Sequence, residues 1–561
     1  MKWEICEPNE RLQQLLFKEL SISPVIAQLL INRGIRAVKD ARDFLFGDLT
    51  FCHDPFLMKG MKAAVPRIKE AISKKEKIMI YGDYDVDGVT SVAVLASVLS
   101  LMGADYETFI PNRMEDGYGL NITAVTNARD KGVKLLITVD CGINSVKEVE
   151  CANECGIDVI ITDHHVVKAR KPPPAYAIID PHQSDCEYPF KNLAGVGVAY
   201  KLARALVSEE EEQIDAELDM VALGTIADIV PLNGENRILA KAGLKKLRSG
   251  KRAGIKALLD VARLDPEKLT CRHIGFVLGP RINAMGRISS ADIALDLLMS
   301  RDSTQAREIA QILDQENKNR QGIEKDILKQ ALEMVKEQLE PEKQNIIVLA
   351  DESWHPGVIG IVASRITESY NRPAILIALE GEDGKGSGRG IDGFDLFGAI
   401  QMAGEHLEDF GGHKQACGLR IKKDKINLFR SALNERSEEV SETEKAPCKK
   451  LYIDLCLPFS HINLKLAKEL DLLMPYGPEN ETPVFCLRGL RVNTAPKNIG
   501  KNGMKFYVSC GNITGEALTF KKDLFTKPRI GDIVDLAFTL SVNTWNGVDS
   551  VQMTLKDLHI I

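Results

Sequence analysis

The chain has 561 residues with a formal net charge of -7 at pH 7, 44% hydrophobic residues and 27% charged residues. One hydrophobic core does not organise a chain of this length, so we expect several domains of ordinary folded composition. The negative charge excludes general affinity for polyanions, although a local basic groove can still bind nucleic acid. No apolar signal segment begins the sequence and no apolar run reaches membrane-spanning length, so we expect a cytoplasmic protein without membrane contacts.

Strand and helix patterns alternate from about residue 76 to residue 179. Apolar strands are predicted at 77–82, 106–110, 133–139, 157–162 and 177–179. The segment 89–101, between the first two strands, is interpreted as an amphipathic helix. This alternation indicates an α/β fold with a parallel sheet and right-handed crossovers.

Residues 196–300 are predicted to be mostly helical, and Asp228 lies near the end of an apolar helix at 219–229. A long polar-faced helix follows from residue 304 to about residue 339, and such a helix usually bridges two domains. A second α/β unit begins at Asn345. Its glycine-rich stretch at 381–390 is followed by a second turn at 410–414.

The polar segment 437–450 is interpreted as a linker, and the remaining residues form short strands separated by turn signals, which suits a small barrel. The predicted domains are an N-terminal helical extension at 1–75, a first α/β domain at 76–303, a connecting helix at 304–340, a smaller α/β domain at 341–440 and the barrel at 451–561.

The 12 cysteines are scattered, and Cys151 and Cys155 form the only close pair in the sequence. No second pair stands at the spacing of a zinc site. We therefore expect reduced core thiols rather than disulfides or a zinc cage.

Three of the predicted strands end in side chains that bind metals. Ligands bind at the carboxyl edge of a parallel sheet, so the three strand ends are expected to form one site. The first strand is followed by Asp83, Asp85 and Asp87, the strand at 133–139 by Asp140, and the strand at 157–162 by Asp163, His164 and His165.

Carboxylates this close repel one another, and a bound cation offsets the repulsion. For residues 83–87 taken alone, a solvated acidic turn is the alternative; a calcium-binding EF-hand is excluded because Val94 stands where its final Glu is required. Asp228 interrupts an apolar run, and burying its charge is costly unless a metal or a salt bridge pairs it.

Mixed carboxylate and imidazole donors suit Mn²⁺, with Mg²⁺ as the competitor. Two ions about 3.5–4 Å apart are a standard arrangement for phosphoester hydrolysis.

These residues resemble the four motifs of the DHH phosphoesterase superfamily, at 81–88, Asp140, 163–165 and Asp228. The segments 111–120 and 279–287 resemble the RecJ family within it, whose members are single-strand-specific DNA exonucleases. Further segments at 354–360 and 411–413 resemble the partner DHHA1 domain, and 475–480 resembles the start of the RecJ oligonucleotide-binding (OB) barrel.

The resemblance implies a two-ion site and a catalytic set of Asp140, Asp163, His164 and His165. Its first ion would bind Asp83, Asp85 and Asp140. Its second would bind Asp87, Asp140, His164 and Asp228, with Asp140 bridging, and His165 would contact the scissile phosphate. Some members of the superfamily have a His where Tyr81 stands here, which leaves the ligands of the first ion open.

Candidate substrate-binding residues lie in loops and in the barrel. Ser387 and Arg389 belong to a stretch that resembles the DHHA1 phosphate-binding segment, for which a flexible hairpin is the alternative. A single Arg is more often part of a surface salt bridge, and His355 can equally start a helix. The full set is Arg113, Arg281, Arg287, His355, Ser387, Arg389, His413, Lys505, Lys521 and Lys522.

The implied function is a metal-dependent exonuclease that degrades single-stranded DNA from 5′ to 3′ to mononucleotides in DNA repair and recombination. The expected cofactors are two Mn²⁺ or Mg²⁺ ions. The expected state is a monomer, and a single-strand-binding protein is an implied partner. One alternative is a phosphodiesterase of oligoribonucleotides or cyclic dinucleotides, which the extra barrel disfavours. The other is a non-catalytic DNA-binding scaffold, which the full set of metal donors disfavours.

Overall fold

The computed structural model describes residues 1–112, 119–167, 171–207, 214–288, 290–338, 345–435, 450–500, 502–521 and 526–561. Within these ranges, no single helix has both the length and the apolar character needed to cross a membrane. One pair joined at a sharp bend, Glu10–Leu20 and Pro24–Asn32, meets that criterion only when the two helices are counted together.

The described strands and helices are numbered in chain order. The strands are β1 (Lys2–Ile5), β2 (Lys77–Gly82), β3 (Tyr106–Phe109), β4 (Val133–Val139), β5 (Asp158–Thr162), β6 (Ala177–Ile179), β7 (Ile347–Asp351), β8 (Ala374–Glu380), β9 (Asp383–Arg389), β10 (Asp409–His413), β11 (Ala416–Lys422), β12 (Lys450–Ile453), β13 (Leu455–Cys456), β14 (Phe485–Val492), β15 (Lys497–Ile499), β16 (Gly503–Cys510), β17 (Ile513–Thr519), β18 (Ile533–Trp545) and β19 (Val548–Ile560). The helices are α1 (Glu10–Leu20), α2 (Pro24–Asn32), α3 (Val38–Phe46), α4 (Met61–Ser73), α5 (Val86–Leu101), α6 (Ile122–Asp130), α7 (Val146–Glu154), α8 (Gly195–Leu206), α9 (Leu218–Ala227), α10 (Gly234–Ser249), α11 (Ala253–Ala262), α12 (Cys271–His273), α13 (Gly279–Ile288), α14 (Asp292–Met299), α15 (Ser303–Gln338), α16 (Ile359–Tyr370), α17 (Leu396–Met402), α18 (Ile426–Glu435) and α19 (Leu464–Glu469).

The first α/β domain is built on a parallel sheet with the strand order β3-β2-β4-β5-β6, which confirms the predicted fold class. The strands are apolar on both faces because helices cover the two sides of the sheet. Ile78, Ile80 and Ile137 pack in the core shared with α5 and α8, whereas Met79 and Leu136 pack on the opposite side.

Helix α5 differs from its prediction in both start and character. It begins at Val86, because the Asp85 carboxylate accepts hydrogen bonds from the N–H groups of Asp87 and Gly88 and so caps the helix. It is buried almost all round instead of amphipathic, because α8 and α9 pack against the side that the sheet leaves free. Asp87 therefore lies in the first turn of a buried helix.

The long helix α15 contacts both α/β domains. Its N-terminal part contributes Ala306, Ala310 and Leu313 to the core of the first domain. Its C-terminal part contributes Ile327 and Ala331 to a core with β7, β8 and α16. One continuous helix therefore sets the spacing of the two domains.

The second α/β domain has a mixed sheet with the order β10-β11-β9-β8-β7, in which only the described pair β7–β8 is parallel. The glycine-rich stretch, for which a flexible hairpin was the alternative, contains the central strand β9. A β-carbon at Gly386 would lie 2.5 Å from Leu419 Cδ1, so glycine allows the neighbouring side chains to pack directly onto the strand. The turn predicted at 410–414 is wrong, because Asp409–His413 pairs along β11 as a strand.

The C-terminal strands form a curled sheet, β13-β14-β18-β19-β17-β16-β15, and an additional β14–β16 pairing closes it into a barrel. The N-terminal helices share its core, where Leu16 and Leu30 pack with residues such as Phe485 and Phe538. Strand β1 also pairs with β12 beside the barrel. Helix α4 instead packs in the core of the first α/β domain. The structure therefore divides the segment predicted as one N-terminal extension between two cores.

The expectation that all cysteines are reduced is wrong for one pair. Cys456 and Cys486 form a disulfide across 30 residues of sequence. The parallel pairing of β13 with β14 places them directly opposite each other, with Cα atoms 4.6 Å apart. Spacing along the chain gave no signal of this contact, because it arises from strand register.

A buried arginine attaches the barrel to the first α/β domain. Arg237 of α10 donates to the carbonyl oxygens of Phe44, Leu472, Leu473 and Pro475, and it stacks 3.9 Å from the Phe44 ring centroid. Burial lowers the pKa of Arg237 to about 10, and the nearby charge of Arg33 acts in the same direction. The Arg237 side chain thus joins helix α10 to helix α3, which contains Phe44, and to the segment 472–475.

Candidate metal centre

The carboxyl edge of the parallel sheet gathers acidic residues from three strand ends and one helix end. Asp83 follows β2, Asp140 follows β4 and Asp163 follows β5. Backbone bonds continue the ladder past the strands, from the N–H of Asp140 to Thr162 and from the N–H of Asp163 to Ile179. These bonds fix the positions of Asp140 and Asp163 at the carboxyl edge of the sheet. Asp228 caps the C-terminal end of α9.

The ring of His164 faces three carboxylates. Its Nε2 lies 3.2 Å from Asp140 Oδ1, 3.7 Å from Asp228 Oδ2 and 3.9 Å from Asp87 Oδ2. Its Nδ1 lies 3.1 Å from the carbonyl oxygen of Leu193, which only accepts hydrogen bonds, so Nδ1 carries the proton in this contact. In the neutral ring the Nε2 lone pair then points into the acidic cluster, as in a metal ligand oriented by a backbone carbonyl.

The start of helix α8 holds Asp87 in place. Asp87 Oδ2 accepts the N–H of Gly195 at 2.7 Å, and Oδ1 accepts the N–H of Val196 at 2.8 Å. The positive end of the helix dipole therefore faces this carboxylate. Burial raises the pKa of Asp87, although the His164 ring and these two N–H groups act in the opposite direction.

Asp140 occupies the centre of the cluster in a strained backbone conformation with φ 60°. Its Oδ1 is buried and accepts no hydrogen bond from any residue that the structure describes. A β-carbon at Gly195 would lie only 2.5 Å from this oxygen, so glycine is needed for the close approach. An unbonded carboxylate oxygen beside an imidazole nitrogen suits coordination to a cation.

Ligand atoms from these residues lie within 4.8 Å of one another in three groups, which are Asp83 with Asp85 and Asp140, Asp87 with His164 and Asp228, and Asp140 with His164 and His165. Asp140 belongs to the first and third groups. His164, 3.2 Å from Asp140 Oδ1, belongs to the second and third groups. That Asp140 bridges two cations stays a prediction. All six residues predicted as metal ligands lie in this cluster.

The electrostatics of the cluster are unfavourable without a cation. Burial raises the pKa of Asp140 well above its usual range, and the carboxylates of Asp87 and Asp85 raise it further. Burial and the Asp87 carboxylate likewise raise the pKa of Asp228. Burial works to lower the pKa of His164, but the nearby carboxylates outweigh it, so the net shift is upward. A divalent cation would compensate the negative charge of these carboxylates.

Asp163 orients the two histidines. Its Oδ1 accepts the N–H groups of His164 and His165 and lies 2.7 Å from His165 Nδ1, while Oδ2 accepts the N–H of Ile143. Burial alone would raise the pKa of Asp163, but the hydrogen bond and charge of His165 outweigh it and lower the pKa. Both oxygens are used within the protein, so Asp163 positions His165, which remains 42% exposed at the side chain.

A second polar cluster lies where the two α/β domains meet. Arg287 Nη1 donates to the carbonyl oxygen of Gly357 at 3.1 Å, and Arg389 Nη1 lies 3.1 Å from Ser387 Oγ. A β-carbon at Gly360, in the first turn of α16, would lie 2.8 Å from Ser387 Oγ and 3.1 Å from Arg389 Nη2. His355 joins this group, because its Nδ1 accepts the N–H of Gly357. Four predicted substrate-binding residues thus surround one helix start.

Other predicted substrate-binding residues have different surroundings. Arg281 forms an ion pair with Asp314 at 2.8 Å, and Lys505 forms one with Glu516 at 3.0 Å. These are the salt bridges that single basic residues commonly form. His413 is exposed at the end of β10. Lys521 lies two residues after β17, at the end of the described range 502–521. Arg113 and Lys522 lie outside the described residues.

Three supporting residues were not predicted. Gly195 admits Asp140, the Leu193 carbonyl oxygen orients His164, and Asn283 Oδ1 accepts the N–H of Val86 at the start of α5. A run of small residues at 194–197 was the one available signal for Gly195. A backbone carbonyl such as that of Leu193 leaves no mark in a sequence.

Comparison with known proteins agrees with the family resemblance of the sequence motifs. The model of the DHH family N-terminal domain matches residues 77–225, that of the DHHA1 domain matches 343–439, and that of the RecJ OB domain matches 453–557. The fold and the acidic cluster are thus those of a DHH-family protein.

Full-length relatives define the family more closely. The single-stranded-DNA-specific exonuclease RecJ of Bacillus subtilis is 40% identical over all of this chain and 71% of its own length. The Escherichia coli RecJ is 34% identical over the whole of both chains. The crystal structure of Thermus thermophilus RecJ in complex with Mn²⁺ superposes with a TM-score of 0.85 at 30% identity, covering 100% of this chain and 79% of that one. The chain belongs to the RecJ family.

The substitution Gly195→Ala should weaken metal binding without unfolding the domain. The new β-carbon would displace the Asp140 carboxylate and disturb the N–H contact to Asp87, so we expect the affinity for Mn²⁺ to fall about 10-fold or more. Isothermal titration calorimetry measures this affinity. Gly322→Ala is the matched control, because nothing lies within 4 Å of the added carbon. Equal affinities in both variants would contradict the proposed geometry.

Asp180, beside the centre, should make stability depend on pH. Burial raises the pKa of Asp180 from 3.8 to about 7. Its neutral form therefore stabilises the fold fully below about pH 4, and this contribution is lost as the pH rises through about 7. In chelator, Asp180→Asn should match wild type at about pH 4 and exceed its free energy of unfolding by about 3 kcal/mol near pH 8.

Urea unfolding at both pH values measures the difference between Asp180→Asn and wild type. Asp392→Asn, at an exposed position, is the control with the same chemical change. A difference for Asp180→Asn that is the same at both pH values would show that the buried carboxyl does not titrate in this range.

Proposed function

We propose that this chain is a metal-dependent exonuclease that hydrolyses single-stranded DNA. The observation that carries the proposal is the acidic cluster around His164, with buried carboxylates whose charge only a cation would balance. Relatives that align over the whole of this chain bear the name of single-stranded-DNA-specific exonuclease RecJ. The barrel adds a nucleic-acid-binding fold to the catalytic domains.

Two divalent cations would fit the cluster. Asp83, Asp85 and Asp140 would hold one, and Asp87, His164 and Asp228 would hold the other. Asp140 would also bind the second ion, because its Oδ1 lies 3.2 Å from His164 Nε2. Mn²⁺ and Mg²⁺ are the proposed ions, since Thermus thermophilus RecJ has been crystallised with each. When bound, such ions act as Lewis acids toward a phosphodiester and the attacking water.

The protein's own groups near the centre would orient the substrate. His165 is held by Asp163 and its side chain is 42% exposed, so the ring would face a phosphate oxygen of the substrate. Arg287, Ser387 and Arg389 would bind a terminal phosphate at the start of α16, where backbone N–H groups and the helix dipole favour an anion. A phosphate pocket at a fixed distance from the cluster would release one nucleotide at a time.

We infer 5′-to-3′ polarity from this pocket, which would accept a 5′-phosphate. Action on long strands is supported by the barrel, which a phosphodiesterase of oligoribonucleotides or cyclic dinucleotides does not need. A role in DNA repair and recombination, a single-strand-binding protein as partner, a monomeric state and a cytoplasmic location complete the proposal.

The activity itself can be tested with an end-labelled single strand and the matching duplex. We expect the single strand to be degraded to mononucleotides with Mn²⁺ or Mg²⁺, and neither substrate to be cut with chelator. Asp140→Asn should lower the rate by at least about 100-fold, because both ions would lose their shared ligand. Asp392→Asn is the control with the same chemical change. Turnover of dinucleotides alone would reject the proposal.

The polarity can be tested by comparing strands with and without a 5′-phosphate. Removing either the phosphate or the Arg389 guanidinium in Arg389→Ala should lower kcat/KM by about 10-fold or more. The two changes should not add, because each removes the same contact. Arg36→Ala, at an exposed position on the N-terminal part of the chain, should have no effect. Release of label from the 3′ end first would contradict the assignment.

A further inference from the structure

A strained residue directly follows the proposed metal ligand Asp228. Ile229 has φ 64°, a left-handed backbone conformation that is rare for a β-branched residue. Its side chain is 68% exposed, so burial offers little compensation for the strain. Such a conformation persists only where the surrounding structure fixes the backbone. Helix α9 holds the preceding backbone, since the N–H of Asp228 donates to the carbonyl oxygen of Gly224. On the other side the constraint comes from residues 230–233, here named the connecting segment.

The connecting segment is held by residues 475–480, here named the barrel-entry turn. The N–H of Leu232 donates to the carbonyl oxygen of Pro478 at 2.8 Å. A β-carbon at Gly477 would lie 2.5 Å from Leu232 Cδ1 and 2.9 Å from its Cγ, so the buried Leu232 side chain packs directly on this glycine. A backbone hydrogen bond and an apolar contact thus join the connecting segment to a turn more than 200 residues away in sequence.

The barrel-entry turn has its own internal support. The side chain of Asn480 is fully buried, and its Nδ2 donates to the carbonyl oxygens of Leu473 and Pro475 at 2.8 Å each. Asn480 Oδ1 accepts a hydrogen bond from Arg33 Nε at 2.8 Å. A buried amide with its donors and acceptor all used holds the surrounding backbone in one arrangement. The turn is therefore a firm base for the connecting segment.

Asn236 connects the same segment to the loop that orients His164. Asn236 is fully buried in the first turn of α10. Its Nδ2 donates to the carbonyl oxygen of Pro231 at 3.1 Å and to the carbonyl oxygen of Asn192. Asn192 directly precedes Leu193, whose carbonyl oxygen lies 3.1 Å from His164 Nδ1. One amide group therefore uses both of its N–H donors on the two loops that lead to ligands of the second ion.

We propose that Asn236 and the barrel-entry turn are positioning elements for the second metal ion, acting through His164 and Asp228. The proposal rests on the proposed function and its two-ion centre. Without these contacts Ile229 would relax out of its left-handed conformation, and the Asp228 carboxylate at the end of α9 would turn with it. Groups that orient metal ligands commonly change the affinity for the metal by 10-fold or more.

The two ions should respond differently to the loss of these contacts. The first ion is assigned to Asp83 and Asp85, which are placed by the end of β2 and the start of α5. These elements do not depend on the connecting segment for their position. Coupling between two sites is reciprocal, so binding of the second ion should in turn stabilise the contact of the connecting segment with the barrel-entry turn.

The first test measures Mn²⁺ binding to the full chain without nucleic acid. Asn236→Ala and, separately, Gly477→Ala should each lower the affinity for one Mn²⁺ about 10-fold and leave the affinity for the other unchanged. Gly477 does not have a positive φ, so alanine adds only the contact with Leu232. Isothermal titration calorimetry gives the affinities, and electron paramagnetic resonance shows whether neighbouring Mn²⁺ ions are spin coupled.

Two variants on α15 are the matched controls. Asn319→Ala removes an exposed amide, and Gly322→Ala adds a carbon with nothing within 4 Å. Both should bind two Mn²⁺ ions as wild type does. Urea unfolding in chelator shows that each variant is folded, and Gly477→Ala tests the proposal without removing any buried polar group.

Hydrogen exchange tests the reciprocal effect without any measurement of activity. Mn²⁺ should slow exchange in wild type over residues 229–236 and over the barrel-entry turn, because the second ion fixes both sides of the contact. In Asp228→Asn, which lacks a ligand of the second ion, Mn²⁺ should no longer slow exchange in the barrel-entry turn. Equal slowing of this turn in Asp228→Asn and wild type would contradict the coupling.

The outcomes separate the positioning role from the proposed function. If Asn236→Ala and Gly477→Ala bind both ions as tightly as wild type does, the positioning role is wrong and the exonuclease proposal stands. Equal weakening of both ions would also overturn the positioning role, because it would show an effect on the whole domain. If the variants lose one ion as expected but wild type with Mn²⁺ does not cut single-stranded DNA, the exonuclease proposal is wrong and the positioning role stands.

Discussion

Repulsion among buried carboxylates is the constraint on which the rest of the structure depends. Asp87 and Asp140 are buried with His164 between them, and burial raises the pKa of both acids. A protein keeps such a cluster only if something positive compensates it. Protons do so at low pH, and divalent cations do so where the carboxylates must stay ionised. The fold is arranged to hold the charges together rather than to let them separate.

Several elements supply that restraint. The start of α8 holds Asp87 through two N–H groups, and Gly195 leaves space for the strained Asp140. The loop after Asp228 is fixed from the barrel side, where the carbonyl oxygen of Pro478 accepts the N–H of Leu232. The segment that leads into the barrel is therefore linked to the metal centre through a backbone hydrogen bond.

Sequence reasoning predicted the parts that depend on local pattern. Apolar strands followed by Asp83, Asp140 and Asp163 placed these residues at one edge, because parallel strands share their direction. It failed where tertiary contacts decide: Asp85 caps α5 earlier than expected, and a glycine-rich stretch became a central strand because Leu419 packs on it. The pairing of Cys456 with Cys486 and the ion pair of Arg281 likewise follow from register and packing, which no local pattern encodes.

The central claim is that two cations neutralise this cluster, and anomalous diffraction from crystals soaked in MnCl₂ tests it most directly. Two peaks are expected, one among Asp83, Asp85 and Asp140 and the other among Asp87, Asp140, His164 and Asp228. Both should be weakened in Gly195→Ala, because the new β-carbon displaces the shared Asp140. A map without a peak at either position, from crystals that take up manganese elsewhere, would contradict it.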